Sequence, residues 1–427
     1  MRTPAQPASY SNRLSLIRPT DGSRRPSSGK LIATRALRSD RMVPKFAPRR
    51  VPSLDADEEN RYARQIVLQD IGWEGQRRLK GSTALVAGAG GLGSPILMQL
   101  TAMGVGRIKV IDRDIVSATD LHRQYLYGTG DVGRPKVEAA EERLKEINPG
   151  VVMEPYAETL SSQRLLSLLE GVDVILDGLD GMKARYALNR ASHRLSVPYV
   201  FSSAVEMFGN VSTILPGRTP CLECFFGGLG EEAVPKCAVV GVHPSVLGIV
   251  ASVAVSEAVK VMTGAKLALA SKLLFADLRS FSFDLIALSR NEACPVCGSG
   301  RGASDATLDL VERACARDGS GTYFVNPRKM MSFDLGALRS FSKRRGWRLL
   351  GGGKLARTMQ VDEVLDVTIF KSGVGLFRVK KPVTSFGEIE GRIRDVFKDV
   401  VVNAYGVPWE EYSEGSSPRG RSPAEDE

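Results

Sequence analysis

Histidine is nearly absent from this chain, with three in 427 residues. That scarcity disfavours histidine-built metallohydrolase sites and leaves cysteine, aspartate, lysine and arginine to carry any chemistry. Cysteine is scarce too: six are too few to staple a chain of this length as a disulfide scaffold. Four of them form C-x-x-C pairs, a spacing that favours metal binding in a reducing, cytoplasmic compartment. Long apolar runs are also missing. Residues 246–255 are followed by Ser256 and Glu257, short of the ~20 residues a bilayer crossing needs, so no membrane partner is expected. No internal repeat divides the chain. What remains is ordinary for a globular protein, 43% hydrophobic and 25% charged, and long enough for two to three domains.

The net charge of +10 is misleading, because residues 1–54 hold 12 Lys or Arg and two acids. The rest of the chain balances at 46 basic and 46 acidic side chains, so no nucleic-acid partner is expected. Residues 1–54 are rich in Arg, Ser and Pro and read as a disordered basic leader. A plain flexible tail, a transit peptide, or an upstream start with Met42 as the true one would each account for it.

Order begins near residue 55. Tyr62, Ile66, Val67 and Ile71 recur at helical spacing, predicting one amphipathic helix over 58–79. Residues 83–87 form a short apolar strand, 94–103 a helix and 107–112 a second strand, with Gly88, Gly90 and Gly93 as G-x-G-x-x-G at the first turn. Alternation continues through strands at 151–156, 172–177 and 199–202 and helices over 161–169 and up to 195. Later strands are expected at 209–215 and 272–278, and a buried helix at 246–262. The fold class is therefore α/β, a Rossmann-like, doubly wound, mostly parallel sheet over 55–300. A linker-like run at 298–304 leads to a small α/β domain over 305–405, read as α–β–α–β–β–α. Helices are predicted there at 309–317, 334–345 and 386–400, with paired strands at 364–370 and 375–380; residues 413–427 read as a disordered tail.

A glycine turn at a helix N-terminus lets backbone N–H groups approach phosphates. By itself it suits NAD or FAD as well as ATP, and Asp112 is placed to accept from ribose hydroxyls in any of them. A nicotinamide oxidoreductase would still need a hydride-transfer site, which three scattered histidines do not offer. Arg123 and Lys136 lie beyond the second strand, where they could neutralise a triphosphate or stand as ordinary solvated cations. Of Asp177 and Asp180, one could hold magnesium on those phosphates.

Cys221 and Cys224 form one knuckle and Cys294 and Cys297 another. Four thiolates satisfy tetrahedral zinc without an open position, so this site is structural and closes the domain. A non-catalytic, zinc-stabilised scaffold would explain the knuckles alone. Cys237 stands outside that set in a glycine-rich segment beside Lys236, which favours a thiolate nucleophile. Cys315 is read as a structural mid-helix residue.

Together these motifs resemble the MoeB/ThiF family of adenylating enzymes, relatives of the ubiquitin-activating enzymes, over roughly 58–298. The resemblance rests on the Arg-Tyr-Ala-Arg-Gln-Ile run at 61–66, the glycine turn, the acids at 112 and 114, and Leu-His-Arg-Gln at 121–124. Val-Gly-Arg-Pro-Lys at 132–136, Asp-Gly-Leu-Asp at 177–180 and the cysteine knuckles complete it. It implies that Gly91 and its neighbours face ATP phosphates, that Asp112 binds ribose, and that Arg123 and Lys136 bind phosphates. Asp180 would hold magnesium, and Arg64 would reach a partner subunit's site, implying a homodimer. Cys237 matches the cysteine that captures the activated carboxyl on a crossover loop in some members.

Three departures stand out: Thr119 and Asp120 replace the usual Ser-Asn, Gly181 replaces Asn, and the segment after Cys237 reads Ala-Val-Val-Gly. Asp120 adds negative charge near the phosphates, tolerable if magnesium lies between them. The region after 305 lacks a rhodanese-type cysteine loop and resembles short extensions on archaeal members; it would dock a carrier or a conjugating enzyme, or cap the dimer. The function implied is ATP-dependent adenylation of a ubiquitin-like β-grasp protein ending in Gly-Gly, followed by thioester formation on Cys237 for conjugation. Activation of a sulfur-carrier protein for thiocarboxylate formation is the alternative.

Overall fold

The structure, a computed structural model, describes residues 51–227, 229–230, 240–300, 308–314, 321–380 and 386–414. Cys237, Cys315 and nearly all of the 1–54 leader lie outside the described residues.

The predicted opening helix is three short ones, α1 (Ala56–Arg61), α2 (Ala63–Ile66) and α3 (Gly72–Gly81). Asp55 and Glu58 form a reciprocal capping box that starts α1. The break before α3 falls where Gly72 takes a φ of +59°, which a continuing helix cannot accommodate.

Strand β1 (Thr83–Ala87) is buried along its whole length, as expected of a central parallel strand. Helix α4 (Gly93–Ala102) and strand β2 (Arg107–Ile111) complete the first strand–helix–strand unit. Then follow α5 (Lys136–Ile147), β3 (Val152–Tyr156), α6 (Ser162–Leu168), β4 (Val174–Asp177), α7 (Met182–Leu195), β5 (Tyr199–Val205) and β6 (Phe208–Ile214). Helices α8 (Leu222–Phe226) and α9 (Pro244–Thr263) precede β7 (Lys272–Asp277) and β8 (Ser282–Ala287). The eight strands run in the order β3-β2-β1-β4-β5-β6-β7-β8. Pairing is parallel from β3 to β5 and antiparallel from β5 to β8. One face packs on α4, α5 and α9, and the other on α6, α7 and α8. Among the described residues α9 is the one helix long and apolar enough to cross a membrane. Its apolar side is spent on α3, α4, β5 and β6.

A second, fully antiparallel sheet follows, built from β9 (Val311–Ala314), β10 (Gly321–Val325), β11 (Arg348–Gly352), β12 (Ala356–Gln360), β13 (Leu365–Phe370) and β14 (Gly375–Val379). Its order is β11-β12-β13-β14-β10-β9. The helix predicted at 309–317 is therefore a strand where it is described, because residues 311–314 pair with β10. Helices α10 (Ala337–Arg345), α11 (Phe386–Tyr405) and α12 (Trp409–Ser413) cover one face. That core reaches Tyr412, which is fully buried and donates its hydroxyl to the Gly373 carbonyl at 2.9 Å. From the other face, Phe324, Ala356, Phe370, Val374 and Leu376 join the core of the first sheet.

Candidate active site

The site assembles at the carboxyl ends of β1, β2 and β4, where an open α/β sheet leaves a crevice. The chain leaves β1 through Gly88, whose φ is +92°, and a Cβ there would stand 2.5 Å from the Gly178 carbonyl oxygen. Gly93 opens α4 so close to Gly88 that a Cβ would sit 1.9 Å from its carbonyl oxygen. Only glycine fits either place, and Gly90 and Gly91 lie in the same turn. Asp112 directly follows β2. Its Oδ2 accepts the Ala89 N–H at 2.7 Å and its Oδ1 accepts the Asp114 N–H at 2.7 Å. Buried Tyr127 donates its hydroxyl to the Ala89 carbonyl at 2.7 Å, so the glycine turn is held from both sides. Burial pushes the Asp112 carboxyl up to about 6, against the opposing pull of Lys136.

Arg123 and Lys136 are brought together by Asp120. The Asp120 carboxylate lies 3.0 Å from Arg123 Nη2 and 3.8 Å from Lys136 Nζ, and also takes N–H groups from Gln124 and Ser117 at 3.0 Å. Arg123 Nη1 donates to the Thr119 carbonyl at 2.6 Å, and Lys136 Nζ reaches Asp114 Oδ2 at 3.1 Å. Asp120 is 7% exposed, and its charge is met directly by protein cations. Burial alone would lower the Lys136 pKa, but Asp114, Asp112 and Asp120 outweigh it and hold the ammonium above the ordinary lysine range. Burial would likewise raise Asp114; Lys136 and Arg113 reverse that and hold it down.

The acid pair divides sharply. Asp177 is fully buried and takes the Arg185 Nε at 3.2 Å, the Tyr199 hydroxyl at 2.5 Å and the Leu179 N–H at 2.9 Å. It ties β4 to α7 and β5. Asp180 is exposed and has no hydrogen bond or ion pair among the described residues, although Arg113 and Arg185 feel its charge. Its donor oxygens suit a hard divalent cation such as magnesium.

The four knuckle cysteines converge, their Sγ atoms all within 4.8 Å of one another. Cys221 lies 3.9 Å from Cys224 and 3.5 Å from Cys294, and Cys224 lies 3.3 Å from Cys297. Tetrahedral zinc at about 2.3 Å from each sulfur would separate the sulfurs by roughly 3.8 Å. Donor set and spacing both fit. The Asn291 N–H points at Cys224 Sγ from 3.4 Å, a bond suited to a thiolate.

Arg64 is not joined to the cation cluster. It is exposed on α2 without a hydrogen bond or ion pair among the described residues, and Val67, Leu68 and Trp73 are exposed nearby. Motif reading names Asp114 without giving it a role, and it misses Tyr127 and the pairing of Asp120 with Arg123 and Lys136. The spacing of Asp112 and Asp114 was the available signal for the first. Nothing in the sequence marks Tyr127, whose partner is a backbone carbonyl.

The sequence profile of the ThiF family matches residues 62–296. A sulfur carrier protein adenylyltransferase of Thermus thermophilus is 41% identical over 248 residues, 57% of this chain and 92% of that protein. The chain belongs to the ThiF family. The SAMP-activating enzyme E1 of Haloferax volcanii is 37% identical over 62% of this ThiF-family chain and 97% of its own length. Crystalline E. coli MccB shares the fold, with a TM-score of 0.51 and 21% identity over 58% of this chain and 75% of MccB. The second sheet lies outside the ThiF profile.

Proposed function

We propose that this ThiF-family protein uses ATP to adenylate the C-terminal glycine of a ubiquitin-like or sulfur-carrier β-grasp protein. The observation that carries the reading is the gathering of Arg123 and Lys136 around Asp120 beside a glycine turn whose Ala89 is bonded to Asp112. Gly88, Gly90, Gly91 and Gly93 let the backbone approach the triphosphate, and Asp112 accepts from the ribose. Arg123 and Lys136 meet charge on the phosphates as it shifts toward pyrophosphate. Asp180 would hold magnesium, which supplies further neutralisation there. The carrier's terminal carboxylate attacks the α-phosphorus, the bond to the bridging oxygen breaks, and pyrophosphate leaves with its electron pair.

The acyl-adenylate then has two fates. Attack by the Cys237 thiolate releases AMP and leaves a thioester, ready for a conjugating enzyme; attack by an external sulfide gives a thiocarboxylate. The second fate is favoured by the name of the Thermus thermophilus relative, the first by that of the Haloferax volcanii one. Arg64, beside exposed Val67, Leu68 and Trp73, suits a homodimer in which each subunit lends an arginine to the other's site. Zinc in the four-cysteine cluster is structural, and cysteines used as metal ligands rather than disulfides fit a reducing, cytoplasmic setting.

The test is ATP–pyrophosphate exchange by the full chain with Gly-Gly-ended β-grasp proteins of its genome, followed by intact mass without reductant. Asp180→Ala should abolish exchange, and Cys237→Ala should spare it while removing any thiol-labile adduct. No exchange with any carrier would sink the reading.

A further inference from the structure

The second sheet does more than rest on the first. Arg113, between Asp112 and Asp114, lies in a bidentate pair with Glu312 of β9 at 2.5 and 2.8 Å. Its guanidinium also sits 3.9 Å over the Phe324 ring of β10. Glu138 of α5 accepts the Lys354 and Leu355 N–H groups at 2.9 and 3.0 Å, and Ser372 donates to the Ala157 carbonyl at 2.7 Å. These contacts lie where β2 and β3 end and α5 begins, beside Lys136.

Cross-strand partners in an antiparallel sheet share a face, as do alternate residues along a strand. Glu312 pairs with Phe324, Phe324 with Leu376, and Thr322 with Arg378. Arg378 therefore stands on the face that carries Glu312 and Phe324, one alternation beyond buried Leu376, and turned toward the first sheet. The opposite face, with Tyr323, Phe377 and Val379, is closed by α11.

Arg378 is half-buried, and its side chain makes no hydrogen bond or ion pair among the described residues. It lies close enough to Asp114 to help hold that carboxyl down, and Asp114 is the partner of Lys136. Asp366 of β13 is the direct cross-strand partner of Arg378, and the planar fork of a guanidinium suits phosphate oxygens.

We infer that Arg378, on a strand outside the ThiF profile, is a nucleotide-binding residue of the adenylation site, its guanidinium taking a phosphate oxygen of ATP. The inference rests on the adenylation reading. It makes the second sheet part of the nucleotide site.

Calorimetric titration of the full chain with magnesium-ATP and with adenosine tests it. Arg378→Ala should weaken ATP by about tenfold or more, the scale of a lost charged hydrogen bond, and leave adenosine unchanged. Arg378→Lys should recover part of the loss. Arg394→Ala, which removes an exposed α11 charge paired with Glu390, should bind ATP like the parent. Unchanged melting and zinc content certify folding.

ATP affinity within twofold of the parent in Arg378→Ala, with Lys136→Ala strongly weakened, overturns the inference and leaves the adenylation reading standing. Equal losses for ATP and adenosine overturn it by making Arg378 merely structural. Normal ATP binding with a raised KM for the carrier overturns it by assigning Arg378 to the carrier. A parent chain that binds no ATP removes both.

Discussion

The two sheets carry their information in opposite ways. Around the first sheet, each functional residue sits in a short motif whose backbone geometry admits few alternatives: Gly93 tolerates no Cβ, and Cys221 must meet Cys294. The second sheet has alternation without a motif. Its strand β13 sends Leu365, Val367 and Ile369 toward the helices and Phe370 toward the first sheet. Sites demand particular atoms at particular points, whereas a docking face demands only apolar volume and a few pairs.

The contrast can be broken most forcefully at the metal. If zinc fills the four-cysteine cluster as proposed, stripping it, or replacing Cys221 and Cys294 by Ser, removes binding energy on the order of 10 kcal/mol from the first sheet's α6–α7–α8 side. Hydrogen exchange should then show that side opening while the core around Phe377 and Phe397 stays protected. Simultaneous opening would mean that the two sheets are one cooperative unit.

Asp112 gives an intermediate effect. With its carboxyl pushed up to about 6, the folded chain holds a proton that the unfolded chain has already lost, so this group's contribution to stability falls as pH rises through that range. The proposed ribose contact runs the other way, because it requires the ionised acceptor. Lowering pH from 7.5 to 5 should weaken ATP about tenfold, given the pKa of about 6. Asp112→Asn should flatten that profile; an unaltered profile would place the titration elsewhere.

The smallest effect sharpens the comparison at the seam. Glu312→Gln keeps the shape but removes the charge facing Arg113, and both side chains are partly exposed, at 35% and 23%. Urea unfolding should show a loss of about 1 kcal/mol after allowing for solvent screening. A loss several times larger would mean that the pair anchors the second sheet.

Much of this was legible in the chain. The strand–helix alternation, the glycine turn and the knuckles follow from local rules, whereas Arg123 and Lys136 stand out only through the family resemblance. The pairing of Asp120 is not legible in the chain, because it depends on Arg123 and the more distant Lys136 folding back onto it. The segment at 311–314 reads as helix by composition, yet pairing with β10 and the Arg113 partner of Glu312 make it a strand. Tertiary contacts outweigh propensity there. Strand β11 has no alternation to read, since all five of its residues are exposed. Apolar spacing alone makes the opening helix too long, because it does not register the break at Gly72.

The shared core also sets an order of events during synthesis. The family-matched region ends at residue 296, but Phe324, Ala356, Phe370, Val374 and Leu376, which complete its core, lie up to 80 residues later. At roughly 5–20 residues per second, a ribosome takes on the order of 4–16 s to supply them. For those seconds the nascent first sheet carries an uncovered apolar flank, and shortening the chain to the family boundary would make that transient exposure permanent.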